Sequence, residues 1–254
     1  MDGTLLNDDK QLPENFWQIE EALHNKNIRF VIASGRQYFN LVDVFERIKE
    51  RCYILAENGA IVMLNDECLY TNPIEKKDMP LLIETGRKIE NADIIYSGAK
   101  SAYVENDDKE LWDYASKYHK KLELADSLDN VDDDCLKFTM YDRSGSQQNS
   151  YAHFKQYEDK FKIAVSGKHW LDINNIETNK GKAVKVLQNK LQISYDETMV
   201  FGDYLNDLEM MSAGKYSYAM KNARPEIIVA ANFQTEYSNN ENGVIRTIKE
   251  IISL

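Results

Sequence analysis

The sequence has few cysteines and no long apolar run. Its three cysteines, Cys52, Cys68 and Cys135, are odd in number and widely spaced. This spacing argues against a disulfide framework or a zinc site and suits reduced, buried thiols. No uncharged apolar stretch reaches the roughly 18 residues that a membrane span needs, and the N-terminus lacks a basic start followed by an apolar segment. We therefore expect a cytoplasmic protein with no membrane partner.

Positive charge is also scarce. The chain has 31 Lys and Arg against 42 Asp and Glu, which gives a net charge of −11. Such a field repels polyphosphate backbones and argues against a nucleic-acid partner. Hydrophobic residues make up 43% and charged residues 29% of the chain, which is ordinary globular usage and argues against disorder or a fibrous repeat. The 254 residues suffice for one or two domains.

Alternating helix and strand patterns at both ends of the chain predict an α/β fold. The N-terminal part predicts a helix over 12–27, a buried strand over 28–33, a helix over 38–50 and strands over 53–56 and 60–64. The C-terminal part predicts a helix over 181–192, a strand over 198–201, a helix over 206–213 and a strand over 216–220. We expect these two parts to build one domain around a parallel sheet.

The segment between them has a different pattern. It predicts strands over 94–97, 101–104, 135–141 and 161–173, with helices over 107–120 and 147–160. We interpret this segment as a separate α+β domain that is inserted into the first, because the strand–helix alternation resumes after it. The predicted boundaries are 1–77 and 176–254 for the outer domain and 78–175 for the inserted one.

Carboxylates stand where a parallel sheet binds its ligands, just beyond the carboxyl ends of its strands. Asp203 and Asp207 follow the strand that ends at Phe201, four residues apart. Hard oxygen ligands in this arrangement suit Mg²⁺, which usually takes one or two carboxylates together with water and substrate phosphate. Asp2, beside Gly3, contributes another acid.

A phosphate-binding pattern follows a second strand. Ser34 and Gly35 stand after a predicted strand and before a helix, where free N–H groups favour an anion, and Lys180 precedes another helix. Each signal alone is more often a helix cap, a turn or a solvated charge. Their joint occurrence, each at a strand end or a helix start, favours a phosphate site.

These residues fall within motifs that resemble the haloacid dehalogenase-like hydrolases, and among them the Cof-like phosphatases with a type IIB cap. The resemblance implies a Rossmann-like parallel-sheet core with an inserted α+β cap. The spacing agrees, since 31 residues separate Asp2 from Ser34 and 145 separate Ser34 from Lys180. The matching segments are Asp2-Gly3-Thr4-Leu5-Leu6, Ser34-Gly35-Arg36, Asn58-Gly59-Ala60, Lys180-Gly181 with Ala183, Gly202-Asp203 with Asn206-Asp207 and Met210, Ala219-Met220 with Asn222-Ala223, and Gly243-Val244.

The resemblance implies transfer of a phosphoryl group from a small ester to an aspartate, followed by hydrolysis of the aspartyl-phosphate. It implies that Asp2 is the general acid and base, with its backbone carbonyl facing Mg²⁺, and that Lys180 is the charge-neutralising lysine. Asp203 corresponds to a metal ligand, and Asp207 to a second acid that binds the metal through water or orients Lys180. The implied substrate-side and phosphate-side residues are Ser34, Gly35, Arg36, Asn58, Lys180 and Asn206.

One position departs from the family pattern. That pattern is Asp-x-Asp-Gly-Thr, whose first Asp is the nucleophile and a metal ligand, and here Met1 occupies the x position. We expect a start assigned at an internal Met, because the other site residues are in place. The strand that normally ends at the nucleophile lies in the middle of the sheet. Its loss should leave unpaired backbone and apolar faces on two neighbours.

The leading hypothesis is a Mg²⁺-dependent phosphatase for a sugar phosphate or a similar small metabolite, with the substrate selected by the inserted domain. Two alternatives stay open. One is an inactive phosphate-binding or regulatory protein, which only the absent nucleophile supports. The other is a phosphomutase or phosphotransferase on the same core, which needs an acceptor other than water.

Overall fold

The computed structural model describes residues 1–252, which form two compact units. The core unit comprises residues 1–34, 47–70 and those from 179 onward, and the inserted unit comprises residues 35–46 and 71–178. The two units therefore change over at residues 70/71 and 178/179, and the inserted unit also includes 35–46. The catalytic and substrate-selecting roles assigned to the two domains remain predictions.

Helices and strands alternate through both units. The helices are α1 (Phe16–Asn25), α2 (Tyr38–Phe45), α3 (Met79–Arg87), α4 (Lys109–Tyr118), α5 (Ser150–Phe154), α6 (Lys180–Leu191), α7 (Leu208–Met211), α8 (Pro225–Ala230) and α9 (Gly243–Ile252). The strands are β1 (Val31–Ala33), β2 (Tyr53–Ala56), β3 (Ile61–Leu64), β4 (Glu67–Thr71), β5 (Ala92–Gly98), β6 (Ala102–Val104), β7 (Leu122–Leu124), β8 (Cys135–Asp142), β9 (Phe161–Gly167), β10 (Trp170–Asn175), β11 (Met199–Gly202), β12 (Tyr216–Ala219) and β13 (Phe233–Gln234). The predicted α/β fold is confirmed.

The core unit contains two sheets with parallel strands. One has the order β1-β2-β3-β4, in which β1 and β2 are parallel and β3 folds back antiparallel onto β2. The other has the order β11-β12-β13, and all of its strands are parallel. β1 and β11 are edge strands of their respective sheets.

One apolar cluster joins the two sheets of the core unit. It forms because β2 is buried at all four positions, so its residues read as a continuous apolar run. Helix α6 adds its buried face at helical spacing through Ala183, Val184 and Leu187. The buried members of the cluster are Tyr53, Leu55, Val62, Ala183, Val184, Leu187, Val200, Met210, Met211, Ala213, Ala219 and Ile227.

The inserted unit is a six-stranded sheet in the order β7-β6-β5-β8-β10-β9. Its neighbouring strands are antiparallel except for the pair β6 and β7. One cluster combines the sheet residues Phe138 and Met140 with Ile83 of α3 and Phe154 of α5. A second cluster combines Ile95 and Tyr141 with buried residues of α4. The region is thus the α+β unit that the sequence predicted.

Two of the three cysteines are buried, as expected from the sequence. Cys52 and Cys135 are buried, but Cys68 is exposed, so the expectation of three buried thiols is wrong for Cys68. Cys68 lies on β4, which is an edge strand of its sheet. Within residues 1–252, no helix is both long and apolar enough to cross a membrane.

Candidate active site

A buried ion pair forms the centre of the candidate site. Lys180 begins α6, Asp207 lies in the turn after β11, and Lys180 Nζ is 2.6 Å from Asp207 Oδ1. Their side chains are only 3% and 4% exposed. The other carboxylate oxygen of Asp207 accepts hydrogen bonds from the backbone N–H groups of Asp203, at 3.0 Å, and Tyr204, at 3.3 Å. The pair therefore fixes both the lysine and the backbone at Asp203.

The charge of this pair follows from its surroundings. Burial alone would raise the pKa of Asp207, but the Lys180 ammonium, the Met1 α-amino group and the hydrogen bonds outweigh it, so the pKa lies below its usual value. Asp207 is therefore an ionised carboxylate at neutral pH and holds the Lys180 ammonium by charge as well as by a hydrogen bond.

Asp203 lies directly beside the N-terminal segment. Thr4 Oγ1 donates to Asp203 Oδ1 at 2.5 Å, and a Cβ on Gly3 would stand 2.3 Å from Asp203 Oδ2. Gly3 also has a φ of +67°, a backbone conformation that favours glycine. Burial raises the pKa of Asp203, and the Thr4 hydrogen bond opposes that rise. The Asp203 carboxylate thus needs a close backbone approach that only glycine permits.

The Asp2 side chain is partly exposed and pairs with a lysine. Its Oδ1 is 3.2 Å from Lys10 Nζ, and its side chain is 35% exposed. The next peptide is fixed, because Asn222 Nδ2 donates to the Gly3 carbonyl at 2.8 Å. The backbone at Asp2 is therefore held beside Asp203, while its carboxylate pairs with a surface lysine.

Ser34, Asn58 and Asn206 are brought together by the ends of β1, β2 and β11. Ser34 N donates to Leu55 O at 2.9 Å, and Asn58 N donates to Ser34 O at 3.0 Å. Asn206 Nδ2 then donates to Asn58 Oδ1 at 3.1 Å. Because Asn206 immediately precedes Asp207, these bonds connect Ser34 to the buried ion pair.

A sharp turn places Asn58 there. Asn58 has a φ of +61° and Gly59 a φ of +91°. A Cβ on Gly59 would lie 2.6 Å from the carbonyl oxygen of Asn179, directly before Lys180. The same residue caps α6, because the Asn179 side chain accepts the Lys182 N–H at 2.7 Å. Gly59 therefore lets the turn after β2 pack against the start of α6.

The structure groups Gly35 and Arg36 with the inserted unit rather than with these residues. Within that unit, the Gly35 carbonyl accepts a hydrogen bond from the Lys137 ammonium at 3.2 Å. Seven of the residues that the sequence singled out therefore meet or adjoin one another in the core unit. The seven are Asp2, Ser34, Asn58, Lys180, Asp203, Asn206 and Asp207.

Two contacts of the site were not assigned by the sequence, namely Thr4 and Asn222. Thr4 holds the Asp203 carboxylate, and Asn222 holds the backbone of Gly3. Both residues stand in motifs that matched the family pattern. Their presence in those motifs is the signal that could have identified them.

The donor set of the site bears on the predicted Mg²⁺. Among residues 1–252, no three His, Cys, Asp or Glu side chains are grouped as a ligand set. Asp207 is engaged by Lys180 and two N–H groups, and Asp2 pairs with Lys10. Asp203 fits the ion: it is a partly buried carboxylate with a raised pKa against a glycine cradle, and Mg²⁺ needs only one or two carboxylates.

Comparisons with known proteins identify the family of the chain. The family model of the haloacid dehalogenase-like hydrolases matches residues 1–248. The 5-amino-6-(5-phospho-D-ribitylamino)uracil phosphatase of Escherichia coli strain K12 is 30% identical, over 99% of this chain and 94% of that protein. A solved structure from Streptococcus mutans UA159 is also 30% identical, with a TM-score of 0.85 over 100% of this chain and 97% of that one.

A third protein shows the fold. The structure of a subclass IIB sugar phosphatase is 19% identical and has a TM-score of 0.81, over 100% of this chain and 97% of that one. The matching family model and the E. coli relative together define the class of the protein. The chain belongs to the haloacid dehalogenase-like hydrolases, and its curated relatives are named phosphatases.

Proposed function

We propose that the core unit hydrolyses small phosphorylated metabolites, and that its substrates are sugar or polyol phosphates. The reaction uses Mg²⁺ and passes through an aspartyl-phosphate intermediate. The observation that carries this proposal is the buried pair of Lys180 and Asp207 next to Asn206 and Ser34. The substrate class is supported by the E. coli relative, whose named substrate carries its phosphate on a ribityl chain.

Lys180 is proposed to bind the phosphate. Its ammonium is held by Asp207 at 2.6 Å in a buried position, so it needs no reorganisation when the phosphoryl oxygens gain negative charge. The Ser34 hydroxyl and the Asn206 amide are the neighbouring groups that would hold phosphate oxygens by hydrogen bonds. This division leaves Asp207 to orient Lys180, which is the second of the two roles that the resemblance allowed.

Asp203 is the proposed metal residue. When bound, Mg²⁺ would neutralise charge on the phosphate, and Asp203 would hold the ion together with the backbone carbonyl of Asp2. The raised pKa of the partly buried Asp203 carboxylate supports this assignment, since a nearby cation would favour its ionised form.

The reaction needs a nucleophilic carboxylate, which the family pattern places two positions before Asp2. That carboxylate attacks phosphorus, the P–O bond to the alcohol breaks, and Asp2 gives its proton to the leaving oxygen. A water then attacks phosphorus and gives its proton to Asp2, so that phosphate is released and the carboxylate is restored. To exchange these protons, the Asp2 carboxyl must break its ion pair with Lys10. The Asp2 side chain is 35% exposed, so it has room to rotate away from Lys10.

The sheet topology supports the same position for the nucleophile. Strands β1 and β11 are both edges, and the Met1–Thr4 segment contacts the residues at their carboxyl ends. This segment therefore lies where the family pattern has its nucleophile, at the carboxyl ends of both strands.

Binding experiments test the core of this proposal in the 254-residue chain. Calorimetry with inorganic phosphate in MgCl₂ should show binding, and Lys180→Met should weaken it at least about 10-fold, because the fixed charge is lost. Asp203→Asn should weaken Mg²⁺ binding while leaving metal-free phosphate binding within a few fold. Phosphate affinity that is unchanged in Lys180→Met would contradict the assignment.

A catalytically inactive phosphate-binding protein is the alternative outcome of these measurements. It would bind phosphate through the same residues but would not turn over an aryl phosphate even when the strand and its Asp are supplied. Measuring binding and turnover on the same preparation separates the two functions.

A further inference from the structure

One turn of the core unit, residues 220–224, contacts both of the chain segments that meet at the Asp203 carboxylate. We propose that Asn222 of this turn is a positioning residue for the proposed Mg²⁺ site, which fixes the Gly3–Thr4 peptide beside Asp203 and does not contact the ion. The inference rests on the proposed function, because it takes Asp203 as the metal residue. All the residues used below lie in the core unit.

The backbone of the turn is bonded to the end of β11. Met220 N donates to Gly202 O at 2.9 Å, and Arg224 N donates to Asp203 O at 3.0 Å. These two hydrogen bonds lie on either side of Asn222 in the sequence. The backbone that carries Asn222 is therefore held in a fixed position relative to Asp203.

The side chain of Asn222 contacts the other segment. Its Nδ2 donates at 2.8 Å to Gly3 O, which is the carbonyl of the Gly3–Thr4 peptide. The two residues of this peptide are the ones that adjoin the Asp203 carboxylate. Thr4 Oγ1 donates to Asp203 Oδ1 at 2.5 Å, and Gly3 leaves no room for a Cβ beside Oδ2. Asn222 thus holds the peptide that sets the position of the carboxylate.

The Asn222 amide is itself held at both ends. Asn239 N donates to Asn222 Oδ1 at 3.0 Å, so the amide oxygen points to Asn239 and the amide nitrogen to Gly3. Asn239 is only 2% exposed, and its Nδ2 donates to Leu6 O at 3.1 Å and to Asp8 Oδ1 at 3.0 Å. The group that orients Asn222 is therefore fixed in turn by the N-terminal segment.

Stability gives little reason for the bond from Asn222. The N-terminal segment is also held at Leu6 by Asn239, and at Asp8 by two hydrogen bonds with Asn240. Asn222 is exposed, so water can replace its hydrogen bonds at little cost. The bond therefore adds little to the fold.

A metal site gives a stronger reason. Mg²⁺ demands near-ideal octahedral geometry, and its two proposed protein ligands, the Asp203 carboxylate and the Asp2 carbonyl, belong to segments far apart in the sequence. Groups that orient the ligands of a metal set its affinity without touching it. Asn222 and the turn that carries it connect these two segments directly.

The test measures Mg²⁺ binding to the 254-residue chain by calorimetry, without substrate, together with the midpoint of thermal unfolding. Asn222→Leu keeps approximately the size of the side chain and removes both of its hydrogen bonds. Asn222→Ala serves the same purpose with a smaller side chain.

Asn232→Leu is the matched control. Asn232 is exposed and precedes β13, and its Nδ2 donates at 2.8 Å to the carbonyl of Lys215, which precedes β12. Because β11, β12 and β13 are parallel, these two residues lie at the end of the sheet opposite to Asp203, which follows β11. The control therefore loses a similar hydrogen bond far from the proposed metal residue.

We expect Asn222→Leu to bind Mg²⁺ about 10-fold more weakly, and Asn232→Leu to stay within about 2-fold of the wild-type Kd, because only the first orients a metal ligand. A folded Asn222→Leu or Asn222→Ala with the wild-type Kd overturns the inference. Failure of both Asn222 variants to fold also overturns it, since Asn222 would then be a structural residue. A wild-type chain that does not bind Mg²⁺ overturns the metal assignment of the proposed function, and the inference with it.

A double-mutant cycle adds a readout that a purely structural role would not change. Thr4→Val removes the hydroxyl that donates to Asp203 and should also weaken Mg²⁺ binding about 10-fold. Because Asn222 is proposed to act through the same peptide, Thr4→Val combined with Asn222→Leu should weaken binding by much less than the roughly 100-fold of two independent effects. Thr4→Val combined with Asn232→Leu should show independent effects. Independent effects of Thr4 and Asn222 would contradict the inference.

Discussion

At the scale of single residues, the ion pair of Lys180 and Asp207 should matter for stability as well as for binding. Removing one partner leaves an uncompensated buried charge, which typically costs about 3–5 kcal/mol. We expect Asp207→Leu to lower the free energy of unfolding by this amount. Lys180→Met combined with Asp207→Leu should recover much of the loss. Urea unfolding measures both.

The surface provides the control for that experiment. Lys215 and Asp196 form an ion pair at 3.0 Å whose side chains are 52% and 70% exposed. Lys215→Ala should lower stability far less than Asp207→Leu, because solvent screens exposed pairs. Equal losses at the two sites would show that burial is not what makes the Lys180–Asp207 pair important.

The buried His119 should make the stability of the fold depend on pH. Burial, and then the charge of Lys137, lower its pKa to about 3, against an ordinary value of about 6.5. Below pH 6.5 the unfolded chain takes up a proton that the folded chain refuses, so stability falls by about 1.4 kcal/mol per pH unit toward pH 3. His119→Leu should flatten this decline. In NMR titrations His119 should stay neutral at pH 5.

The thiols should differ in reactivity. Burial raises the pKa of Cys52 to about 12, and Cys135 is also buried, whereas Cys68 is exposed. Since the thiolate is the reactive form, the folded chain should react at one thiol with an aromatic disulfide reagent at pH 8, and the unfolded chain at three. Cys68→Ser should remove the single native reaction. Rapid reaction of two thiols in the folded chain would contradict the burial of Cys52 and Cys135.

At the scale of elements, the turn after β2 is the connection on which the site depends most. Gly59→Ala adds a Cβ 2.6 Å from the Asn179 carbonyl at a φ of +91°. We expect a loss of more than about 2 kcal/mol in stability together with weaker phosphate binding, because both the backbone and the start of α6 must move.

The variant Gly145→Ala separates the cost of backbone strain from the cost of the close contact at Gly59. The φ of Gly145 is +106°, but a Cβ there would meet no atom nearer than 3.5 Å. Gly145→Ala should therefore cost only the backbone strain, about 1 kcal/mol, and leave phosphate binding unchanged. Chemical unfolding measures the loss in free energy of unfolding for both variants. If Gly59→Ala loses no more than Gly145→Ala, the packing of Gly59 against Asn179 is unimportant for stability.

The sequence predicted the elements with strong apolar patterns and missed the weaker ones. β2 was predicted at its observed bounds because all four of its residues are buried. The short strand β13 was missed, since both of its residues are exposed and show no burial pattern. Helix α9 was also missed, although its buried residues recur at helical spacing.

The candidate site was easier to predict than its electrostatics. The motifs identified Asp203, Asp207 and Lys180, because each stands at a strand end or a helix start. The pairing of Asp2 with Lys10 was not foreseen, since the two residues are brought together only by the tight loop of the N-terminal segment. Burial and charge pairing depend on the folded chain, which sequence spacing does not specify.

At the scale of the whole molecule, we expect the inserted unit to select the substrate, because the core residues would contact only the phosphate and the metal that all substrates share. Exchanging surface loops within 78–175 in an active form of the chain should change the ranking of phosphate esters more than the hydrolysis of a small aryl phosphate. Steady-state kinetics over a panel of esters measures this. An unchanged ranking would place selectivity in the core.

The most direct test of the proposed chemistry compares the Mg²⁺-dependent turnover of an aryl phosphate by two polypeptides. One is the 254-residue chain, and the other carries a short apolar strand before Met1 that ends in Asp two positions before Asp2. We predict that the first binds phosphate but turns over roughly 10³-fold or more slowly, because it lacks the nucleophile. Lys180→Met should abolish the activity of the second. Equal turnover by the two polypeptides would contradict the account.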